Sequence, residues 1–305
     1  MIFESLVANV PVLKSAIVTL DVLFTQVAWG WIIVMNMWAK SIATGVFFVG
    51  VYMMRKYPVS ETFYKYLVPL VGLAFVGITL LFTVLDLHKP FRAFYIFLHS
   101  HFTSAITWGA WFINIYSLIL VLWLWAVIKK DGKLLSKLIA PGIVVAFFTT
   151  VYTAGLMGLS NAREIWQAPT EIVQMVLAAG LAGSAILLLA GKFNMNMDEA
   201  QKQNLGVILG VSAIASLIVY VAEVIFAPTK SEEAEWVIHY LTSGGMGAYF
   251  ALGLIVAFAL PAALTCLANR TKKSIFLLPA AVLALVGLWM VKHAWLVAPQ
   301  MMPLS

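Results

Sequence analysis

One lysine in this sequence stands where a lysine is costly. Lys40 is the only charged residue of the stretch 28–54, and an ammonium inside a hydrocarbon layer costs about 2.5–3.5 kcal/mol on insertion scales. Ionisable residues kept at such a cost default to ion or proton pathways. Asn36, Lys40 and Thr44 follow at i, i+4 and i+8. A helix sets all three on one face, and that face should point into a bundle rather than at lipid. The chemistry open to them is proton handling, or hydrogen bonding to the polar head of an apolar ligand. The competing explanation is a lysine held by backbone carbonyls or an acidic partner, with a structural role only.

A second polar set gathers at the ends of apolar runs: Asp86 and His88, Tyr152, Glu171 and Gln174, Glu223, and Lys292 with His293. Given alternating runs, these positions share one depth on one side. Such a layer could line a cavity open to that side. It could equally be an ordinary interfacial layer whose long side chains reach out to water. None of the five histidines (His88, His99, His101, His239, His293) is mid-span, where a b-type heme takes its axial ligands. No heme and no bound metal are therefore expected, the spacing of His99 and His101 being a weak metal signal. Cys266 is the single cysteine, so neither a disulfide framework nor an iron–sulfur cluster is expected within the chain.

The elements that must position these residues follow from composition. Of 305 residues, 63% are hydrophobic and 10% charged, against about 25% charged in soluble domains. That excludes a soluble enzyme, a nucleic-acid-binding module and a disordered chain. Stretches without Asp, Glu, Lys or Arg recur along the chain, each long enough to cross about 30 Å of hydrocarbon. They predict an all-α integral membrane protein with eight spans, near 28–54, 65–87, 103–128, 138–160, 168–191, 203–226, 243–268 and 274–296. Backbone groups in lipid must be satisfied within the segment, so the spans are helices. Residues 1–27 read as an amphipathic interfacial segment, with Val12, Leu13, Ala16, Ile17, Leu20 and Phe24 at helical spacing. Glu4 and the lack of a small-residue cleavage site speak against a signal peptide. The transmembrane domain is expected over 28–296 and a short outer tail over 297–305. Pro261 should kink the seventh span. The run Ala178, Ala179, Gly180, Ala182, Gly183 and Ser184 should allow close helix packing in the fifth.

Loops 55–65, 129–137, 192–202 and 269–273 carry twelve of the 19 Lys and Arg residues. The positive-inside rule makes that side cytoplasmic, so both termini should face the outer, periplasmic side.

Two pairs of motifs carry a resemblance. The first pair is Asp86-Leu87-His88-Lys89-Pro90-Phe91-Arg92-Ala93 followed by Ser104-Ala105-Ile106-Thr107-Trp108-Gly109-Ala110-Trp111. The second is Tyr152-Thr153-Ala154-Gly155-Leu156 with Asn161-Ala162-Arg163-Glu164-Ile165-Trp166. In order and spacing they resemble the polysulfide-reductase membrane subunits of the NrfD/PsrC type. That family has an Asp-Leu-Gly-Arg-Pro loop, a Ser-Pro-x-x-x-Gly-Ala-Trp segment, then Tyr-Thr-Gly and Ala-Arg-Pro-Leu-Trp. The segment 249–264 fits its seventh helix. His88 and Lys89 stand where the family has Gly and Arg, Glu164 where it has Pro, and Lys40 where its first helix has small residues.

The resemblance implies a quinone-binding membrane anchor of a respiratory oxidoreductase, in the bacterial cytoplasmic membrane. It would bind menaquinone or ubiquinone near the outer face. It would exchange electrons with a four-cluster ferredoxin-like iron–sulfur subunit, and through it with a molybdopterin or other redox catalytic subunit. Tyr152 matches the family's tyrosine and would donate to a quinone carbonyl, with Asn36 the next candidate. Arg163 and His88, from the loop motifs, are further quinone-binding candidates. Quinol oxidation releases two protons per two electrons and needs acceptors beside the head group. Asp86, Glu223 and His293 could serve, with Lys40 on a proton path inward. The rival readings are a secondary transporter, for which no inverted repeat or matched pair of broken helices is found, and a passive anchor without a quinone site.

Overall fold

A computed structural model describes residues 27–87, 89–160, 162–192 and 197–301. The amphipathic segment expected before residue 27, His88 and the last residues of the expected tail lie outside these.

All eight expected spans are present as helices long and apolar enough to cross a membrane. They are α1 (Trp31–Lys56), α2 (Glu61–Asp86), α3 (Ala105–Ile128), α4 (Gly132–Gly158), α5 (Ala168–Gly191), α6 (Glu199–Phe226), α7 (Gly247–Thr271) and α8 (Leu277–Val297). α4 and α6 start earlier than a charge-free stretch allows, because each has an aspartate cap. Asp131 accepts from the N–H groups of Lys133 and Leu134, and Asp198 from that of Gln201. These caps satisfy donors that the first turn of a helix leaves unpaired. The charged residues behind them therefore belong to the helices rather than to loops.

α7 is not a continuous α-helix. Gly247–Leu254 passes through a five-residue π-turn, Ile255–Ala259, into Leu260–Thr271. Pro261 explains it. Proline has no N–H to donate and its ring clashes with the carbonyl four residues back, so the hydrogen-bond register slips before it, as the expected kink anticipates.

α1 and α5 form the centre of the bundle. Their most apolar windows are 72% and 61% buried, against 28% for α2. α1 packs on α2, α4, α5 and α8, and α5 on α1, α4, α6 and α8. The small-residue run makes this closeness possible. A Cβ at Gly45 would run into the backbone of Ala179 and Gly183, and one at Gly183 into the backbone of Gly45.

The loops differ at the two ends. Four short loops join the helices at the end rich in Lys and Arg. At the other end the chain adds short helices, Tyr95–Leu98 and Glu232–Thr242, and a 3₁₀ turn, Ala298–Met301, that continues α8. This turn is packed inward: the N–H of Trp29 donates to Gln300 Oε1 and Gln300 Nε2 donates back to the Trp29 carbonyl, both at 2.9 Å.

Candidate functional site

Lys40 sits on the buried face of α1, 3% exposed. Its Nζ donates to Thr153 Oγ1 of α4 and lies 4.1 Å from the centroid of the Tyr152 ring. Its partners are thus a hydroxyl and an aromatic face, rather than a carboxylate or a backbone carbonyl. A desolvated cation–π contact is worth about 2 kcal/mol, which offsets part of the cost of burying the ammonium. Gly109 of α3 sets the ring in place, because a Cβ there would collide with the Tyr152 ring. The glycine and the tyrosine belong to separate sequence motifs, and the fold makes them one contact.

Asn36 and Thr44 share the buried face but serve other partners. Asn36 Nδ2 donates to the Thr79 carbonyl at 3.0 Å and to Thr83 Oγ1 at 2.6 Å, both on α2. Thr44 Oγ1 donates to the Lys40 carbonyl. The face therefore splits, with Asn36 tied to α2 and Lys40 to α4.

One helical turn toward the long-loop end lies a small cavity. Met37 on α1 and Met157 on α4 line it, with Glu171, Gln174, Tyr220, Lys292 and Trp295. Its volume for a water's centre is about 10 Å³, close to what one water needs. Glu171, Gln174 and Lys292 are all buried. Glu171 Oε1 accepts from Trp295 Nε1 at 2.7 Å, while Gln174 Nε2 has no hydrogen-bond partner among the described residues. The Trp295 carbonyl accepts from Trp166 Nε1 at 3.3 Å, and Trp166 stacks on Trp29, the rings 5.4 Å apart at 16°.

The remaining expected site residues lie apart from Lys40. Glu223, at the end of α6, pairs with Lys230 at 3.3 Å. Asp86 ends α2 and is half-buried. His293 stacks on Trp289 at 5.3 Å and meets Tyr249 edge-on at 5.7 Å. His293 Nδ1 and Trp289 Nε1 have no hydrogen-bond partner among the described residues. Arg163 Nη1 lies 3.7 Å from Glu233 Oε1, and Glu233 Oε2 accepts from the Glu164 N–H at 3.2 Å. That pair fastens the 159–167 loop to the short helix Glu232–Thr242. Among the described residues, no group of three or more His, Cys, Asp or Glu side chains could hold a metal ion.

The structure thus unites Lys40 with Tyr152, and sets Asn36, Asp86, Glu223, Arg163 and His293 elsewhere at the same end. It adds Thr153, Gly109 and Trp295. Thr153 and Gly109 lie inside quoted motifs, which is the signal that could have found them. Trp295 has no such signal.

Eight spans with ionisable groups in the interior define a multi-pass integral membrane protein. The chain belongs to the NrfD family of polysulphide reductase, whose family model matches residues 21–303. Its members are membrane subunits of quinone-linked oxidoreductase complexes and pair with iron–sulfur and catalytic subunits. A search of curated proteins returned no match.

Proposed function

We propose that this chain binds a quinol or quinone of the membrane pool, menaquinone or ubiquinone, beside Tyr152 and Lys40. It would pass the electrons to a four-cluster ferredoxin-like iron–sulfur partner, and through it to a molybdopterin or other redox subunit. The observation that carries this reading is the contact of Lys40 with Thr153 and the Tyr152 ring inside an apolar bundle. The donor set fits the ligand. A quinone head offers two carbonyl oxygens and an apolar ring. Here a half-buried phenol stands over a buried ammonium. The water-sized cavity is too small for a quinone ring, so the ring belongs on the Tyr152 side.

When bound, a quinol supplies two electrons and two protons. Tyr152 and Lys40 orient it by donating to its oxygens, and the apolar walls exclude water. Asn36 joins them by giving up its bond to Thr83. Asp86, Glu223, His293 and Lys40 are the groups for proton uptake, and His293 Nδ1 has no hydrogen-bond partner among the described residues. Arg163, bound to Glu233, sits in a loop where the iron–sulfur partner would dock, and His88 lies in the neighbouring loop. The long-loop end is then the outer face, with both termini there, in a bacterial cytoplasmic membrane. The Lys and Arg bias of the short loops supports that orientation.

A fluorescence-quench titration with the quinol analogue HOQNO tests the reading. Saturable, stoichiometric quenching is expected, weakened at least about tenfold in Tyr152→Phe and in Lys40→Met. No specific binding in either the isolated subunit or its complex would leave a passive anchor.

A further inference from the structure

We infer that the cavity between α5 and α8 is a proton-holding site, in which Glu171 takes and gives the proton, Gln174 and Lys292 hold one water against it, and Trp295 positions its carboxylate. For the source of the proton, the inference rests on the quinol reading above.

The hydrogen-bond arithmetic carries it. Glu171 is 3% exposed, and Trp295 occupies one of its two carboxylate oxygens. Among the described residues no protein group donates to the other. Gln174 Nε2 is a buried donor without an acceptor among the described residues, and the Lys292 ammonium, 7% exposed on the same cavity, faces Glu171 as its charge partner. A carboxylate oxygen that Trp295 leaves open, one unpartnered amide donor and one ammonium thus border a space of about one water. Buried waters make about three hydrogen bonds each. A water here donates to Glu171 and accepts from Gln174 and Lys292. Leaving such groups unmatched would cost free energy that the water restores.

The position suits proton transfer from the Lys40 site. Met37 and Met157 line the cavity, and Lys40 and Thr153 are one helical turn from them on the same two helices. The polar groups therefore run from Tyr152 through Lys40 and Thr153 to the cavity and Glu171. In the transfer, an O–H bond of the water breaks as one forms on Glu171, and the water regains a proton from the head-group side. No electron moves in this step. The ionisable groups facing Glu171 are Lys292 on α8 and, on α6, Tyr220 and, one turn further, Glu223; Lys40 on α1 lies beyond Lys292, whose like charge it meets. Trp295 touches neither substrate nor water in this scheme and acts by fixing the rotamer of Glu171.

Infrared difference spectroscopy of the whole protein in liposomes tests this, with and without HOQNO. The expected result is a deuterium-sensitive carbonyl band of a protonated carboxylic acid that HOQNO perturbs. It should be lost in Glu171→Gln, and present with a displaced frequency and titration midpoint in Trp295→Phe. In the assembled complex, Glu171→Gln should lower quinol oxidation about a hundredfold, the scale of one acid–base group, while HOQNO quenching is unchanged. A carboxylic band identical in wild type and Glu171→Gln overturns the inference and leaves the quinone reading standing. A Glu171 band with no HOQNO binding overturns the quinone reading instead, and with it the source of the proton. Should Glu171→Gln fail to fold, Trp295→Phe decides: an unmoved frequency and midpoint defeat the positioning role and the site with it.

Discussion

Gly45 and Gly183 meet backbone to backbone where α1 crosses α5, each lying where the other's missing Cβ would be. The two central helices can approach this closely only because neither side chain intervenes. The contact also sets the distance between Lys40 on α1 and the α5 residues that line the cavity. Gly183→Leu should therefore separate the helices and cost about 1–3 kcal/mol or more, read as a lower unfolding temperature in detergent. Gly155→Ala is the matched control. It meets nothing within 4 Å and should be neutral or gain up to about 1 kcal/mol of helix propensity. Equal effects of the two would remove the close crossing as a source of stability.

The lysine–threonine contact predicts an unusual ranking of variants. Thr153→Val removes the hydroxyl that accepts from Lys40 and leaves a buried ammonium over the Tyr152 ring alone. It should lose about 1–3 kcal/mol. The double variant Lys40→Met, Thr153→Val should be more stable than Thr153→Val, because replacing both partners by apolar groups removes the orphaned charge. Chemical unfolding of the three proteins in one detergent checks the order. A double variant weaker than Thr153→Val would show that the ammonium is stabilised by something else.

Gly109 and Tyr152 predict a binding defect without a folding defect. Alanine at 109 pushes the Tyr152 ring aside while suiting the helix at least as well as glycine. Gly109→Ala should keep its helical circular dichroism and lose at least about tenfold in HOQNO affinity. Unchanged affinity would place the head group away from the ring.

Outside the membrane, Glu233 makes stability depend on pH. Burial pushes its carboxyl above its ordinary value, against the pull of the Glu164 N–H and the Arg163 guanidinium. The folded protein then holds this proton more tightly than the unfolded chain. Its contribution is full below the ordinary glutamate value and is lost as pH rises through the raised one. Glu233→Gln should flatten the dependence of unfolding temperature on pH in that window. A slope unaltered by the substitution would assign it to another group.

How much of this was legible in the sequence depended on whether the signal was local. Lys40 was legible, because a charge within an apolar run needs no partner to be conspicuous. The spans were legible for the same reason, and so was the disturbance at Pro261. What holds Lys40 was not, since Thr153 lies 113 residues away and a threonine in an apolar helix is unremarkable. The bond between Trp295 and Glu171 spans 124 residues and was hidden likewise. Reading Asn36, Lys40 and Thr44 as one functional face was sound for burial. It could not foresee that Asn36 and Lys40 would find different helices, because a face about 80° wide can touch two of them. The early starts of α4 and α6 are hidden by their charged first turns, which resemble loop, although Asp131 and Asp198 are ordinary capping residues.

The reciprocal bonds between Trp29 and Gln300 join positions 271 residues apart. Through them α1, the innermost helix, and the end of α8 are stapled into a closed circuit of eight spans. Peeling either helix from the bundle at this end breaks both bonds at once. Fraying at the two ends of the described helical domain is thereby coupled, because Trp29 stands two residues before α1 and Gln300 three residues after α8.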